Sequence, residues 1–405
     1  MRAYFEYLKA KTYLMKKLLT SPVQMNLTDT QNQYYQQVLK YVAELSLNFM
    51  AVKVVTYPEN FLDWCQEFHR ICQEDLNLAL LDDHQFKPLK KLEDTLVQAI
   101  SVIQIKLSRV MPWPIFNAFI EQNATRHALQ ERLGLLAYLK RKLETPYSEW
   151  IEEDRLAFIG KHTAKHDPSV YTFDVEWFGA TKGAKSFVKL FNEQSHDVCQ
   201  LLELIPNNGP VSENQYFAFV EAYKALFTQH LPDEKIPFMP ATRLLGMLRP
   251  DQFVVLTNAK LDSICQGLGV TKISQQVDRA FAEYWHEMIA TIRQNTWWQQ
   301  ARPENETEII LWENRAILLD MFCYADENIA SQSNYLKLLN KPTKTTSRST
   351  TTKRTKASAE QLVDQALEND DTPDFVKGMR DSIIKSVQAG KSVTDAINLM
   401  KAIFS

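Results

Sequence analysis

Glycine is scarce in this sequence, with 10 glycines among 405 residues. Phosphate-binding loops and tightly turned β proteins rely on glycine for backbone conformations that other residues avoid, so its scarcity favours a helical protein. The five cysteines are odd in number and widely scattered, which argues against a disulfide framework and a paired-cysteine metal knuckle. We interpret them as buried thiols in a reducing compartment, and we therefore expect a cytoplasmic protein.

Long apolar runs are also missing. The stretch Leu96–Phe116 is broken by glutamine, lysine and arginine, so it is too polar to cross a bilayer. The basic segment at the start of the chain contains Glu6 and is followed by no small-residue cleavage site, so no signal or transit peptide is predicted. Translation from Met25 is an alternative to translation from Met1. We expect no association with a membrane.

The recognised motifs of phosphate-loop, dinucleotide, zincin and nucleophile-elbow enzymes do not occur in the sequence. We therefore predict no cofactor, no metal and no catalytic residue, and a protein that binds a ligand instead of transforming it. His162 and His166 have the four-residue spacing of a metal-binding pair on a helix. Pro168 and the loop-like composition around them favour a pair of surface histidines instead.

Apolar residues recur at three- and four-residue steps through most of the chain, which predicts an all-α protein. Val170–Phe178 is the exception, and it is predicted to be a short strand or an extended arm. In the middle of the chain, helices are predicted at Ala184–Ile205, Glu213–His230, Pro240–Leu248, Leu261–Leu268, Ser274–Asn295 and Glu304–Tyr324. The predicted units are an N-terminal helical bundle (1–160), a middle helical domain (184–336), a disordered basic Ser/Thr-rich linker (337–356) and a small C-terminal three-helix domain (357–405).

The segment Ile236–Val270 is the most informative part of the sequence. It is predicted to form a helix, a loop at Arg249-Pro250-Asp251, an extended apolar stretch and a second helix after Thr257-Asn258. This order resembles the helix-hairpin-helix DNA glycosylase superfamily, over about residues 184–324.

Two positions depart from that superfamily. Phe238-Met239-Pro240 stands where a glycine-rich hairpin is expected to bind a DNA phosphate, and Leu256 stands where the catalytic aspartate is expected. The resemblance therefore implies the fold of these enzymes without their base-excision chemistry.

The same region contains five further motifs: a predicted helix at Ala241–Leu245, a turn at Arg249–Val254, the pairs Tyr284-Trp285 and Trp297-Trp298, and a predicted helix at Arg315–Asp320. With these motifs the region is similar to uncharacterised bacterial proteins of restriction and phage-defence gene clusters. The similarity implies a defence context and assigns no chemistry.

Neighbouring residues on a helix diverge by about 100°, so at least one aromatic residue of each pair is expected near the surface. With the nearby arginines and a lysine, these aromatic residues are predicted to form a basic groove in which bases stack and phosphates pair. The alternative is a core in which the tryptophans pack and the arginines pair with nearby carboxylates. The predicted nucleic-acid contacts of the middle domain are Arg243, Arg249, Lys260, Trp285, Arg293, Trp297, Trp298 and Arg315.

In the linker, Lys353 and Arg354 are predicted to add a salt-sensitive attraction to nucleic acid. The function predicted from the sequence is that of an accessory protein of a defence or restriction system, with DNA as one partner and a protein partner at the C-terminal domain. Two alternatives stay open at this point. One is an enzyme that acts on nucleic acid, with a divalent ion held by Asp251 and Asp262 or by Glu313 and Asp320. The other is a pure protein-interaction scaffold.

Overall fold

The computed structural model describes residues 15–50, 52–181, 183–324, 330–331, 333–340, 363, 367 and 378–388. These residues form helices and turns and no strand, which confirms the predicted all-α class. None of the helices they form combines the length and apolarity needed to span a membrane. The chain divides into two compact units, Met1–Lys341 and Pro342–Ser405.

The larger unit is built from helices joined by short turns. In chain order they are α1 (Asp29–Glu44), α2 (Ser46–Met50), α3 (Phe61–Arg70), α4 (Phe86–Ser108), α5 (Trp113–Gln122), α6 (Leu129–Lys142), α7 (Glu152–Ile159), α8 (Lys185–Glu193), α9 (Ser195–Glu203), α10 (Glu213–His230), α11 (Phe238–Leu248), α12 (Leu261–Leu268), α13 (277–293), α14 (Glu306–Trp312) and α15 (Asn334–Leu339). Shorter 3-10 turns lie between them, and one of them, Ile317–Phe322, follows α14.

Local sequence signals explain where several helices begin and end. The side chain of Thr28 accepts a hydrogen bond from the backbone of Gln31, whose side chain binds back to Thr28, and this capping box starts α1. Ser212 and Gln215 start α10 in the same way. Gly160 ends α7 in the left-handed conformation that glycine adopts without strain.

Helix α4 connects two hydrophobic cores. One core contains residues between Met15 and Val102, and the other contains residues between Ile105 and Cys323. The apolar residues of α4 from Leu89 onward belong to the first core, while its Ile105 belongs to the second. Tyr171 and Phe173, which lie between the predicted N-terminal and middle domains, are buried in the second core.

Several predicted helix bounds are confirmed, including those of α10 and α12. Two other predicted helices are divided in the structure. The predicted helix Ala184–Ile205 is divided into α8 and α9, and the predicted helix Glu304–Tyr324 is divided into α14 and a 3-10 turn. Val170–Phe178 forms turns and not a strand. The first residues of the predicted linker, 337–339, are the last residues of α15.

The smaller unit is described at few positions. Helix α16 (Arg380–Gln388) lies there, and Ile383 and Ile384 pack with Val363 and Leu367 in a small apolar core. The remainder of the predicted C-terminal domain and linker, including Lys353 and Arg354, lies outside the described residues.

Helix α12 packs closely against α4 at Gly267. A Cβ atom at this position would lie 2.5 Å from the Cβ of Ile105 and 3.1 Å from the carbonyl oxygen of Val102. We expect Gly267→Ala to lower the free energy of unfolding by about 2 kcal/mol, because the two helices must move apart. Chemical denaturation checks this value. Gly183→Ala is the control, since a Cβ there meets no atom within 4 Å, and an equal loss in both variants would contradict the prediction.

Candidate nucleic-acid interface

The segment Ile236–Val270 folds in the predicted order. Helix α11 ends at Leu248, residues 249–252 form a turn, residues 253–256 are buried and lie outside any helix, and α12 begins at Leu261. Phe238 is the first residue of α11, so the helix itself occupies the place of the expected hairpin. Leu256 is 1% exposed and donates its backbone N–H to Thr242 on α11. The segment 253–256 therefore packs directly on α11.

Arg243 of α11 lies in the interior and is 1% exposed. Its guanidinium donates five hydrogen bonds to backbone carbonyls, which is the full number that the group can donate. The acceptors are the carbonyl oxygens of Ala157, Phe158, Val175, Trp177 and Gly179, at 2.6–3.1 Å. Burial lowers the pKa of Arg243 to about 9, while Glu176 and Asp174 act in the opposite direction. The prediction that Arg243 contacts a phosphate is corrected, because this side chain joins the end of α7 to the loop 175–179.

Arg249 is also buried, and its partners lie within the protein. It binds both carboxylate oxygens of Asp251, at 2.9 Å and 2.8 Å, and the carbonyl oxygens of Pro206 and Gly209, each at 2.6 Å. The backbone N–H of Ile317 donates to the carbonyl oxygen of Pro250 at 2.9 Å, which brings the chain after α14 against this turn.

Arg293 and Arg315 meet at the same turn and are half-buried. The guanidinium of Arg293 lies 4.5 Å from the centre of the Trp285 ring. Arg315 lies 4.4 Å from the ring centre of Trp298 and 4.5 Å from that of Trp312. We call this group the arginine–tryptophan cluster, and its members are Arg249, Asp251, Trp285, Arg293, Trp298, Trp312 and Arg315.

Positive charge exceeds negative charge within the arginine–tryptophan cluster. Asp251 forms an ion pair with Arg249 and also attracts Arg293 and Arg315, so one carboxylate serves three guanidinium groups. Burial lowers the pKa of Arg315 to about 10, with Asp251 opposing this effect and Arg249 adding to it. Burial and the charge of Arg249 also lower the pKa of Arg293. The buried Nε of Arg315 has no hydrogen-bond partner among the described residues.

The two aromatic pairs, Tyr284-Trp285 and Trp297-Trp298, differ in burial. In the first pair Tyr284 and Trp285 are 0% and 6% exposed, so the prediction that one of them lies near the surface is wrong. A π-helical turn at Tyr284–Ile289 changes the helical register there, and the two rings are covered from two directions. Trp285 stacks on Tyr216 of α10, while the hydroxyl of Tyr284 donates to the carbonyl of Val254 at 2.6 Å.

The second pair follows the prediction. Trp297 is 0% exposed and packs on Phe116 of α5, whereas Trp298 is partly exposed beside Arg315. Trp297 cannot stack with a base, because both of its faces lie in the core. Of the predicted contacts, Arg249, Trp285, Arg293, Trp298 and Arg315 come together in the structure.

Lys260 lies apart from that group. It forms an ion pair with the buried carboxylate of Asp320, which also binds Arg132 of α6. Its side chain is 27% exposed and lines a cavity. Two residues that the sequence reasoning did not select, Arg132 and His127, lie on the same cavity wall. The spacing of apolar residues does not single out Arg132 or His127, because each looks like an ordinary polar residue in or beside a helix.

The carboxylates proposed for a divalent ion have basic partners. Asp251 binds Arg249, Asp262 binds Lys272 at 2.8 Å, and Asp320 binds Arg132 and Lys260. Glu313 binds Lys140 and Arg302, each at 3.0 Å. Within the described part of the chain, no group of three or more His, Cys, Asp or Glu side chains is arranged to hold a metal.

The two histidines are not both on the surface. His166 is 2% exposed; its Nδ1 lies 3.0 Å from the backbone N of Thr163, and its Nε2 lies 3.0 Å from the carbonyl oxygen of Glu153. The predicted pair of surface histidines is therefore wrong for His166, whose ring fixes the loop after α7.

No family model, curated protein or solved structure matches this chain. The resemblances to the glycosylase fold and to defence-associated proteins therefore stay predictions, and any functional argument depends on the site itself.

Proposed function

We propose that the protein associates with DNA as a non-catalytic accessory protein and that the arginine–tryptophan cluster contacts the phosphate backbone. The excess positive charge of this cluster carries the proposal. Three guanidinium groups around one carboxylate leave a net charge of about +2, which a phosphate oxygen can offset. Arg293 and Arg315 are the half-buried arginines of the cluster, so they supply the contacts to phosphate.

The hydrogen bonding of the two half-buried arginines supports this assignment. Arg293 makes long bonds, 3.3 Å to the carbonyl oxygen of Val211 and 3.4 Å to the side chain of Gln252. Arg315 donates to the carbonyl oxygen of Trp312 at 2.9 Å, and its Nε is unpaired among the described residues. The accessible N–H groups of a half-buried guanidinium are stabilised when an oxyanion accepts from them, and the buried Nε of Arg315 is not one of these groups.

The tryptophans give the cluster its shape. The rings of Trp285, Trp298 and Trp312 hold the guanidinium groups through cation–π contacts, which fixes their orientation without neutralising their charge. This arrangement suits contact with a backbone that carries no sequence information, and we propose binding that is independent of DNA sequence.

The defence context is the part of the proposal that depends on resemblance. The motif residues of the defence-associated proteins fall into two structural roles here. Arg243 anchors the interior, while Arg249, Trp285, Trp298 and Arg315 belong to the cluster. A partner that recruits this protein to a restriction or defence complex is proposed to bind the C-terminal unit.

The double variant R293Q/R315Q tests the DNA proposal. We expect it to weaken binding to DNA about tenfold at low salt and to reduce the slope of log affinity against log salt by about one per arginine. Fluorescence anisotropy with single- and double-stranded oligonucleotides at two salt concentrations measures both effects. The weakening should be alike for oligonucleotides of different sequence, because the contacts are to phosphates.

Arg141→Gln is the matched control, since Arg141 is an exposed arginine of α6 outside the cluster. Its DNA affinity should equal that of the wild type. Lack of binding by the wild-type protein to either kind of DNA, or equal losses in the control and in the double variant, would reject the cluster as a DNA contact. The variant K353Q/R354Q measures separately the contribution predicted for the linker.

A further inference from the structure

A cavity of about 660 Å³ lies in the larger unit, away from the residues of the arginine–tryptophan cluster. One wall is α4, with Val97, Gln98 and Ser101, and the opposite wall is the turn that leads into α12. The loop 176–180 and the residues Cys323 and Tyr324 complete it. The volume falls in the range of about 300–1,000 Å³ that is usual for small-molecule sites.

Arg132, Asp320 and Lys260 form a charged floor to this cavity. The side chain of Asp320 is 3% exposed and forms ion pairs with both basic residues. Burial acts to raise the pKa of Asp320, but Lys260 and Arg132 outweigh burial, so the pKa is below its usual value and the carboxylate is charged. Two cations around one anion leave a net charge of about +1 on the floor. Lys260 is the more exposed of the two cations.

The other acidic residues that line the cavity, Asp94, Glu176 and Asp262, are not part of the floor. Asp262 is paired with Lys272. The two carboxylate oxygens of Glu176 accept hydrogen bonds from the backbone of His162 and the side chain of Asn334; these neutral donors leave its charge in place and direct both oxygens to residues that do not line the cavity. Asp94 is exposed at the rim, where water screens its charge.

Four aromatic side chains line the cavity, namely His127, Trp177, Phe178 and Tyr324. The guanidinium of Arg132 lies 4.6 Å from the Trp177 ring centre and 5.0 Å from that of Phe178, and its Nε donates to the carbonyl of His127 at 2.6 Å. His127 is 3% exposed, and its Nδ1 has no partner among the described residues. Burial and the charge of Arg132 lower the pKa of His127 to about 3, so its ring is neutral.

The loop that carries these rings is fixed in an unfavourable conformation. Phe178 has a φ of 71°, a left-handed value that is rare for a bulky residue. Arg243 donates to the carbonyls on both sides of it, those of Trp177 and Gly179, at 2.6 Å and 2.8 Å. The loop is tightly packed at Gly179, where a Cβ would lie 3.2 Å from the side chains of Thr257 and Val255. Strain of this kind persists where the surrounding contacts hold a site in one shape.

The cavity is built for binding and not for covalent chemistry. Its one thiol, Cys323, is buried, and burial together with Asp320 raises its pKa to about 12, so it is not a thiolate nucleophile. The carboxylate of Asp320 is occupied by its two ion pairs and cannot accept a proton from a ligand without breaking them.

We propose that this cavity binds a small organic acid, whose single oxyanion pairs with Lys260 while its ring-sized apolar body packs against Trp177 and Phe178. This binding site is separate from the DNA contact proposed above, and the ligand is a soluble effector of the protein. The oxyanion is a carboxylate or a phosphate monoester, and the two are distinguished in the test.

Benzoate, phenyl phosphate and uncharged benzamide are the probes, and isothermal titration calorimetry on the full chain is the measurement. We expect benzoate or phenyl phosphate to bind and benzamide to bind at least tenfold more weakly. Lys260→Met should weaken binding of the anion at least tenfold, whereas Lys260→Arg, which keeps the charge, should stay within about threefold of the wild type. Equal affinities for benzoate, phenyl phosphate and benzamide would overturn the role of the charge.

A second variant keeps the proposal testable if Lys260→Met fails to fold. Ala180→Phe places a ring at the exposed edge of the cavity without changing any charge, and Ala301→Phe adds the same ring at an exposed position outside it. The first should abolish binding of the anion and the second should leave it unchanged. The proposal would be overturned if none of the three probes bound the wild-type protein, or if Ala180→Phe and Ala301→Phe bound the anion equally well. Neither result would depend on whether the protein binds DNA.

Discussion

Replacing Arg243 by methionine should lower the free energy of unfolding by about 4 kcal/mol or more. The change would remove the arginine donor from five buried carbonyl groups, of which only that of Ala157 has a second donor among the described residues, the N–H of Gly160, and each group left without a partner costs about 1–3 kcal/mol. Since small proteins are stable by about 5–15 kcal/mol, the variant should be partly or fully unfolded at room temperature. Chemical denaturation followed by circular dichroism measures the loss.

Arg243→Lys separates hydrogen bonding from charge. An ammonium group has three donors and cannot reach five carbonyls that surround a planar guanidinium, so this variant should also lose most of the stability. Arg141→Met, at an exposed position, should change stability by no more than about 0.5 kcal/mol. Wild-type stability in Arg243→Lys would show that these hydrogen bonds do not hold the loop 175–179.

The second large effect is expected at Asp320. Asp320→Asn should cost about 3–5 kcal/mol at neutral pH, because it leaves Arg132 and Lys260 facing each other in the interior without their shared carboxylate. The double variant D320N/K260M removes one of the two unpaired cations. Its loss should therefore be smaller than the sum of the losses of the two single variants, and a double-mutant cycle measures the difference.

The pH dependence of stability gives an independent measurement of Asp320. Its pKa in the folded protein is lower than in the unfolded chain, so its ion pairs contribute their full stability above the unfolded value and lose it as the pH falls through the folded value. The loss should therefore begin below about pH 4, and D320N should lack this part of the acid sensitivity. Asp233→Asn, at an exposed position, should keep it. If the stability of D320N fell with acid in the same way as that of the wild type, this role of Asp320 would be contradicted.

The sequence predicts the helices well because their signals are local. The bounds of α10 and α12 follow from caps and apolar spacing within a few residues, and the whole fold class follows from that periodicity. Each divided helix is predicted as a single helix, because no proline or glycine marks the break at Gln194 or the break near Asn314.

The site could be predicted only in part, since burial depends on contacts between distant residues. Arg243 and Arg315 look alike in the sequence, yet the first reaches the carbonyl oxygen of Phe158, 85 positions away, and the second lies over two tryptophans near the surface. The charged floor of the cavity joins Arg132 to Asp320 across 188 positions. No rule of residue spacing connects positions that are so far apart in the sequence, so the cavity could not be predicted from sequence patterns.

The position of α4 determines which parts of the larger unit can unfold independently. Its Leu89–Val102 stretch fills one core and its Ile105 fills the other, while Gly267 holds α12 against it without space for a methyl group. Melting the whole of this helix would expose apolar surface in both cores at once. The amide hydrogens of the two cores should accordingly exchange with solvent through one shared opening event, and the described residues before position 100 should unfold together with the rest of the larger unit.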